Sequence, residues 1–265
     1  MSQEGWEDRD IVTAVTEWLI SGSGYSLEMA TAAVLSKAGF TVVQGDYFPD
    51  NTEGDREVLR EIDVTGYIGS SGSGVQTSVA FMVECKASTK HPWLLFTYPH
   101  GYSDTLQVTR RCATSVVGKR ILEKLQFEDS IRQSPLFSFL PNAGHSVTLG
   151  MKKPGDKDTT YEALMSVCKA SNAHVSSLHG RGVLAFDWPT IVIKAPLLDC
   201  HLDEEHEVVV KQIESCTLVW RNPVINAHSI IDIYTAATFG RRIPQLYQPA
   251  KDFAQRAWEV ARQGV

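Results

Sequence analysis

Two apolar runs on either side of a glycine-serine spacer constrain the fold of this chain more than any other feature. Together they read REIDVTGYIGSSGSGVQTSVAFMVECKAS, residues 60 to 88. Side chains alternate between the two faces of a strand, so each run has one apolar face and one face with polar and charged groups. The spacer, residues 69 to 74, predicts a turn that folds the second strand back against the first.

The register of this hairpin follows from its apolar residues. One register brings the apolar side chains of both strands to a single face, and its pairs are Ile62 with Cys85, Val64 with Val83 and Ile68 with Val79. The same register places Asp63 opposite Glu84, with Lys86 beside them. Two carboxylates that face each other across about 5 Å repel. A divalent cation between them is the natural compensation.

Helices are predicted on both sides of the hairpin. Residues 7 to 20 repeat apolar positions at helical spacing, and a second helix from Ser26 to Gly39 carries Glu28 in its first turn. The strand TVVQGDYF follows this helix. Beyond the hairpin, residues 102 to 125 predict one long helix with an apolar stripe.

The last third of the chain is rich in β-branched residues. TIVIKAPLLDCHL and EVVVKQIESCTLVW predict an antiparallel hairpin around the turn LDEEHE, and NAHSIIDIYTAATF predicts a further strand before a helix from Pro249 to Arg262. This order of elements predicts a single α/β domain over residues 1–265, with a mixed β-sheet core flanked by helices. We expect the core in about residues 21–130 and a hairpin-rich C-terminal elaboration in about residues 131–265.

Composition excludes several classes of protein. The chain has 265 residues, of which 43% are hydrophobic, as in an ordinary globular protein. No apolar run approaches the ~20 residues that cross a bilayer, and the N-terminus is too acidic for a secretory signal, so we expect a cytoplasmic protein without membrane contact. The five scattered cysteines predict free, buried thiols. A net charge of -6 disfavours binding of nucleic acid by bulk electrostatics but allows a local basic groove.

The ordered set of acidic residues resembles the active-site motif of the PD-(D/E)xK nuclease superfamily, which has the restriction-endonuclease-like fold. The resemblance covers roughly residues 24–125: a helix that bears Glu28, a strand, a strand with Asp63, and a strand with Glu84-Cys85-Lys86. Ile62 stands where the motif of the superfamily has proline.

A literal Pro49-Asp50 occurs upstream, in the polar run YFPDNTEGD. This run has no strand pattern, so Asp63 is preferred as the first acid of the motif.

The resemblance implies a divalent-metal-dependent nuclease. Asp63, Glu84, the backbone carbonyl of Cys85 and Glu28 would bind Mg²⁺ or Mn²⁺, since hard oxygen ligands suit these ions. Lys86 would orient or help to deprotonate the attacking water and stabilise the negative charge that develops on the phosphate. The expected substrate is nucleic acid, with DNA favoured, and the expected setting is restriction or phage defence.

Basic residues beyond the hairpin are the candidates for phosphate contacts. Arg110, Arg111 and Lys119 belong to the densest basic cluster of the sequence. Two other interpretations stay open: a non-catalytic nucleic-acid-binding or assembly module that keeps the nuclease fold, and a C-terminal half that forms a homodimer or partner surface. Asp232, an acid inside an apolar strand, is predicted to be a structural hydrogen-bond acceptor.

Overall fold

A computed structural model describes residues 8–21, 24–50, 58–72, 74–87, 91–97, 107–153, 155–178, 180–222 and 227–263. These residues form a mixed α/β structure in which one large mixed sheet is flanked by helices, as predicted. The helices in the described part are α1 (Asp8–Ser21), α2 (Tyr25–Ala38), α3 (Gln107–Arg110), α4 (Val116–Leu125), α5 (Asp129–Arg132), α6 (Thr159–Ser177) and α7 (Ala236–Arg262). None of them is long and apolar enough to cross a bilayer.

The strands of the described part all belong to this sheet. They are β1 (Thr41–Asp50), β2 (Val58–Gly72), β3 (Val75–Ala87), β4 (Trp93–Thr97), β5 (Ala113–Thr114), β6 (Ala143–Leu149), β7 (Val183–Lys194), β8 (Leu197–Leu202), β9 (Val208–Ile213), β10 (Ser215–Asn222) and β11 (Ala227–Thr235). Their order is β1-β2-β3-β7-β11-β10-β6-β4-β8-β9, and β5 pairs with β7 outside this path. One apolar core separates the sheet from α2, α4 and α7, and a second lies under α6.

The central hairpin has the predicted register. Strands β2 and β3 are antiparallel, with Val64 opposite Val83 and Ile68 opposite Val79. The ladder continues until Gly72 faces Val75, so the strands extend through most of the glycine-serine spacer, which was predicted as a turn.

Two predicted pairs, Ile62 with Cys85 and Asp63 with Glu84, are wrong, because the ladder between β2 and β3 begins only at Val64 and β2 changes faces within the strand. Val64 packs in the core on the side of α2 and α7, whereas Ile62 packs in the core under α6. The ladder between β2 and β3 begins at Val64, so Ile62 is not paired with Cys85. The change of face falls at Asp63.

Strand β1 changes faces at the same level. Its Val42 packs toward α2 and its Phe48 packs under α6, and between them Gly45 has a φ of 62°. This left-handed conformation favours glycine. The β1–β2 pairing is interrupted at Gly45 and Asp63 and has the same register before and after them. The two strands therefore change faces together at this level.

The predicted helix over residues 102 to 125 is interrupted. Residues 102–106 lie outside the described part, and α3, β5 and α4 follow. Strand β7 pairs with β11 only from Thr190 onward. The preceding part of the same edge of β7 is open, and β5 pairs with it at Phe186 and Asp187. A new helix then starts, because Ser115 caps α4 by accepting a hydrogen bond from the N–H of Gly118 at 3.3 Å.

The C-terminal half is part of the central sheet. Strand β7 runs parallel to β3 along its whole length, from Gln76 opposite Val183 to Ala87 opposite Lys194. Helix α7 starts at Ala236, where the predicted strand was expected to continue, and it packs against α2. Residues 131–265 are therefore not an elaboration on a finished core, which corrects that expectation. The predicted hairpin is confirmed only next to its turn, as β8 and β9, because its outer halves belong to β7 and β10 and pair with other strands. The five cysteines are free and buried as predicted.

Helix α6 is tied to the centre of the sheet by an ion pair. His174 Nδ1 lies 2.7 Å from Oδ2 of Asp187 on β7, which is fully buried, and the other oxygen of Asp187 has no hydrogen-bond partner among the described residues. Burial opposes protonation of His174, but the hydrogen bond and charge of Asp187, with that of Asp46, raise the pKa of His174 above its usual 6.5. Complete burial raises the pKa of Asp187.

This pair predicts a stability that falls at alkaline pH. A raised folded-state pKa contributes stability below the unfolded pKa, and this is lost as pH rises through the folded pKa of His174. His174→Gln keeps a donor but no charge, so we expect it to lower the free energy of unfolding by about 3 kcal/mol at pH 6 and by less at pH 8.5. Urea unfolding at both pH values measures this difference. His145→Gln, at an exposed position on β6, is the control, and an unchanged pH dependence in His174→Gln would refute the assignment.

Candidate active site

The candidate site lies where β2 separates from β3. Beyond Val64 the ladder between these strands stops. The N–H of Cys85 on β3 donates instead to Oδ2 of Asp63, at 2.6 Å. The carboxylate of Asp63 is thereby held at the level of Glu84 and Lys86 rather than placed as an ordinary strand side chain.

Glu84 is the most buried acid of the site. Its side chain is held by two groups: the hydroxyl of Ser166 on α6 donates to Oε2 at 2.8 Å, and Lys86 Nζ contacts Oε1. Burial raises the pKa of Glu84 to about 7; the charge of Lys86 opposes this shift and that of Asp63 adds to it. Asp63 thus influences Glu84 electrostatically, although the two residues do not form the cross-strand pair that was predicted.

Lys86 contacts Glu84 and acts electrostatically on all three predicted acids. Its charge counteracts the pKa shift of Asp63, of Glu84 and of Glu28. Burial favours the neutral form of Lys86, but the ion pair with Glu84 outweighs it and raises the pKa of the lysine. The ammonium form is thus stabilised among the carboxylates.

Glu28 reaches the same group of charges from the first turn of α2. Burial raises its pKa, and Asp63 and Glu61 raise it further. Burial likewise raises the pKa of Asp63, against the effect of the Cys85 N–H. The structure thus brings Glu28, Asp63, Glu84 and Lys86 into one electrostatic cluster.

Glu61 belongs to this cluster and was missed from the sequence. It lies two residues before Asp63 on β2 and acts on the pKa of both Asp63 and Glu28. Its position two residues from Asp63 on the same strand was the available signal.

The thiol of Cys85 faces away from the site, as predicted. Its sulfur lies 3.5 Å from Oγ1 of Thr31 on α2, inside the core. Burial raises the pKa of this thiol far above its usual range. Only the backbone of Cys85 is available for the chemistry of the site.

A cleft of about 670 Å³ opens beside Glu84 and Lys86. Its wall is formed by β1, β2 and the first half of α6, and it contains charged and aromatic side chains: Tyr47, Arg60, Glu61, Lys157, Tyr161, Glu162 and Lys169. This volume lies within the range of ligand-binding clefts.

Asp50 lies at the end of β1, although its polar surroundings in the sequence had no strand pattern. Its carboxylate is buried and forms ion pairs with Arg60 at 2.6 Å and with Lys169 at 2.7 Å. Two cations already neutralise this carboxylate, so Asp63 remains the preferred candidate for the first acid of the motif.

The predicted phosphate-binding residues do not line this cleft. Arg110 and Lys119 line another cavity, of about 820 Å³. Helix α6 borders both cavities, but with different residues in each. Arg111 is 2% exposed and forms an ion pair with Asp232, so it has no access to a phosphate and its predicted role is corrected. Asp232 also accepts hydrogen bonds from Thr217 and Tyr234, which confirms its structural role.

The donor set suits a hard cation. Within the described ranges no three Asp, Glu, His or Cys side chains form a ready group of metal ligands. Asp63, Glu84 and the carbonyl of Cys85 are oxygen donors, however, and Mg²⁺ commonly uses one or two carboxylates together with water and phosphate oxygens. Burial raises the pKa of each of these acids, so their charged forms are disfavoured as long as only Lys86 compensates them.

Neither a protein-family model, nor a curated protein, nor a solved structure matches this chain. Evidence about its function therefore comes from its own residues and their geometry.

Proposed function

We propose that this protein is a divalent-metal-dependent nuclease that hydrolyses phosphodiester bonds in the cleft beside Glu84 and Lys86. The proposal includes a restriction-endonuclease-like core, DNA as the substrate and a role in restriction or phage defence, and these parts depend on the resemblance of the motif. The observation that supports the chemistry best is the position of Lys86. It contacts Glu84 on β3, and its positive charge counteracts the burial that raises the pKa of Glu84, of Asp63 on β2 and of Glu28 on α2.

The carboxylates would hold the metal. Asp63 and Glu84, with the carbonyl of Cys85, would bind Mg²⁺ or Mn²⁺, and Glu28 would complete the site directly or through water. The bound ion would polarise the scissile phosphate and lower the pKa of the attacking water. Ser166 orients Glu84 through its hydrogen bond to Oε2, and Lys86 contacts the other oxygen, Oε1.

Lys86 would act as a charge rather than as a base. Its raised pKa keeps the ammonium form at neutral pH, and an ammonium group cannot accept a proton. With a cation held by the acids, Lys86 would be released from Glu84 and would turn toward the phosphate. There it would stabilise the negative charge that builds up in the transition state.

A specific observation favours the alternative of a binding module without turnover. The ion pair between Lys86 and Glu84 occupies one oxygen of the central acid, and the described residues contain no ready group of three ligands. If this ion pair is permanent, the site is a structural charge pair and no metal enters.

Cleavage assays test the proposal directly. With Mg²⁺ or Mn²⁺, we expect the wild-type protein to cut plasmid or oligonucleotide DNA, and Asp63→Asn, Glu84→Gln and Lys86→Gln each to lower the rate by about 10²–10³-fold. Glu123→Gln changes an exposed acid on α4 and serves as the matched control. Full activity in both Glu84→Gln and Lys86→Gln would place the active site elsewhere.

Metal titration separates the role of the lysine from that of the acids. We expect calorimetry with Mn²⁺ alone to detect binding to the wild type and not to Asp63→Asn or Glu84→Gln. Lys86→Gln should bind Mn²⁺ more tightly, because it frees Glu84 from its ion pair, although it cleaves more slowly. If no variant takes up Mn²⁺ and the protein still binds DNA, the non-catalytic module is the correct interpretation.

A further inference from the structure

The same cleft carries two exposed aromatic rings. Tyr47 projects from β1 and is 62% exposed, and Tyr161 projects from α6 and is 51% exposed. Both line the cleft that contains Glu84 and Lys86. These rings are exposed and lie beside the candidate phosphodiester site. The bases of a bound nucleic acid could therefore stack on them.

Both tyrosines are anchored on ordered elements. Tyr47 is paired with Glu61 in the β1–β2 ladder. The N–H of Tyr161 is bonded to Asp158, which caps α6, and the Tyr161 ring packs edge-on against Trp220 with 6.3 Å between the ring centroids. The backbone that carries each ring is therefore fixed, and the Tyr161 ring itself is positioned by Trp220.

The charges of the cleft are largely balanced. Its four cations are Arg60, Lys86, Lys157 and Lys169. Each lies in an ion pair: Lys157 with Glu162, Lys86 with Glu84, and both Arg60 and Lys169 with Asp50. Cations that are already paired contribute little net attraction for a phosphate backbone, and the protein as a whole is acidic.

We propose that this cleft selects a single strand, whose unpaired bases stack on Tyr47 and Tyr161. This inference rests on the proposed nuclease site and names its substrate class. A duplex presents only its phosphates to such a cleft, because its bases are stacked inside. Binding of a duplex would therefore depend on the weak electrostatic attraction. A single strand adds base stacking, which is substantial for each base and tolerant of sequence.

Binding without metal tests the selection. The probe is a fluorescent oligo-dT of about 20 nucleotides in EDTA, compared with an abasic oligomer of equal charge and with a duplex of equal length. We expect oligo-dT to bind at least about tenfold more tightly than either competitor. Tyr47→Ala and Tyr161→Ala should each weaken oligo-dT binding about tenfold and leave the abasic oligomer unaffected, whereas Tyr47→Phe and Tyr161→Phe, which keep the ring, should bind like the wild type.

Phe127→Ala is the matched control, because Phe127 is an exposed ring outside this cleft. Since the substituted rings are exposed, thermal unfolding of the variants should match that of the wild type. Equal binding of duplex and oligo-dT, or alanine variants that bind oligo-dT normally, would overturn the inference. The assay contains no divalent metal and measures no cleavage, so its outcome is independent of nuclease activity. A protein that selects oligo-dT through its tyrosines but cuts no DNA would refute the proposed nuclease and leave the single-strand selection standing.

Discussion

The site depends on one hydrogen bond that a regular sheet would not contain. The N–H of Cys85 is bonded to the carboxylate of Asp63 and not to a backbone carbonyl of β2. This bond requires β2 to leave β3 at that level, and β1 follows because Gly45 allows the same twist. The separation of the strands lets acids from α2, β2 and β3 share one environment, while Cys85 stays in the core.

The cluster is costly for the folded protein. Burial raises the pKa values of Glu28, Asp63 and Glu84, so the native environment disfavours their charged forms. Lys86 offsets part of this cost from within the group. Acids whose pKa values are perturbed by burial and by neighbouring charges cluster at functional sites more often than elsewhere.

The sequence predicted several local features of the fold. Alternation along two adjacent strands determined the register of Val64 with Val83, and the helix that carries Glu28 was evident from its helix-forming residues and the Gly39 that ends it, although it begins after Gly24 and not at Ser26. Features that depend on distant partners were not predictable. The break in the helix over residues 102–125 arises because β7 offers an edge to β5, and Arg111 is buried because Asp232, far along the chain, neutralises it. The change of face at Asp63 was missed because alternation assumes an uninterrupted ladder.

The long parallel ladder between β3 and β7 has a consequence for folding. Strand β3 carries Glu84, Cys85 and Lys86 of the candidate site, and one of its two neighbours, β7, lies far later in the sequence. Contacts so far apart in sequence form late. The strand that carries the site is therefore supported on both edges only late in folding.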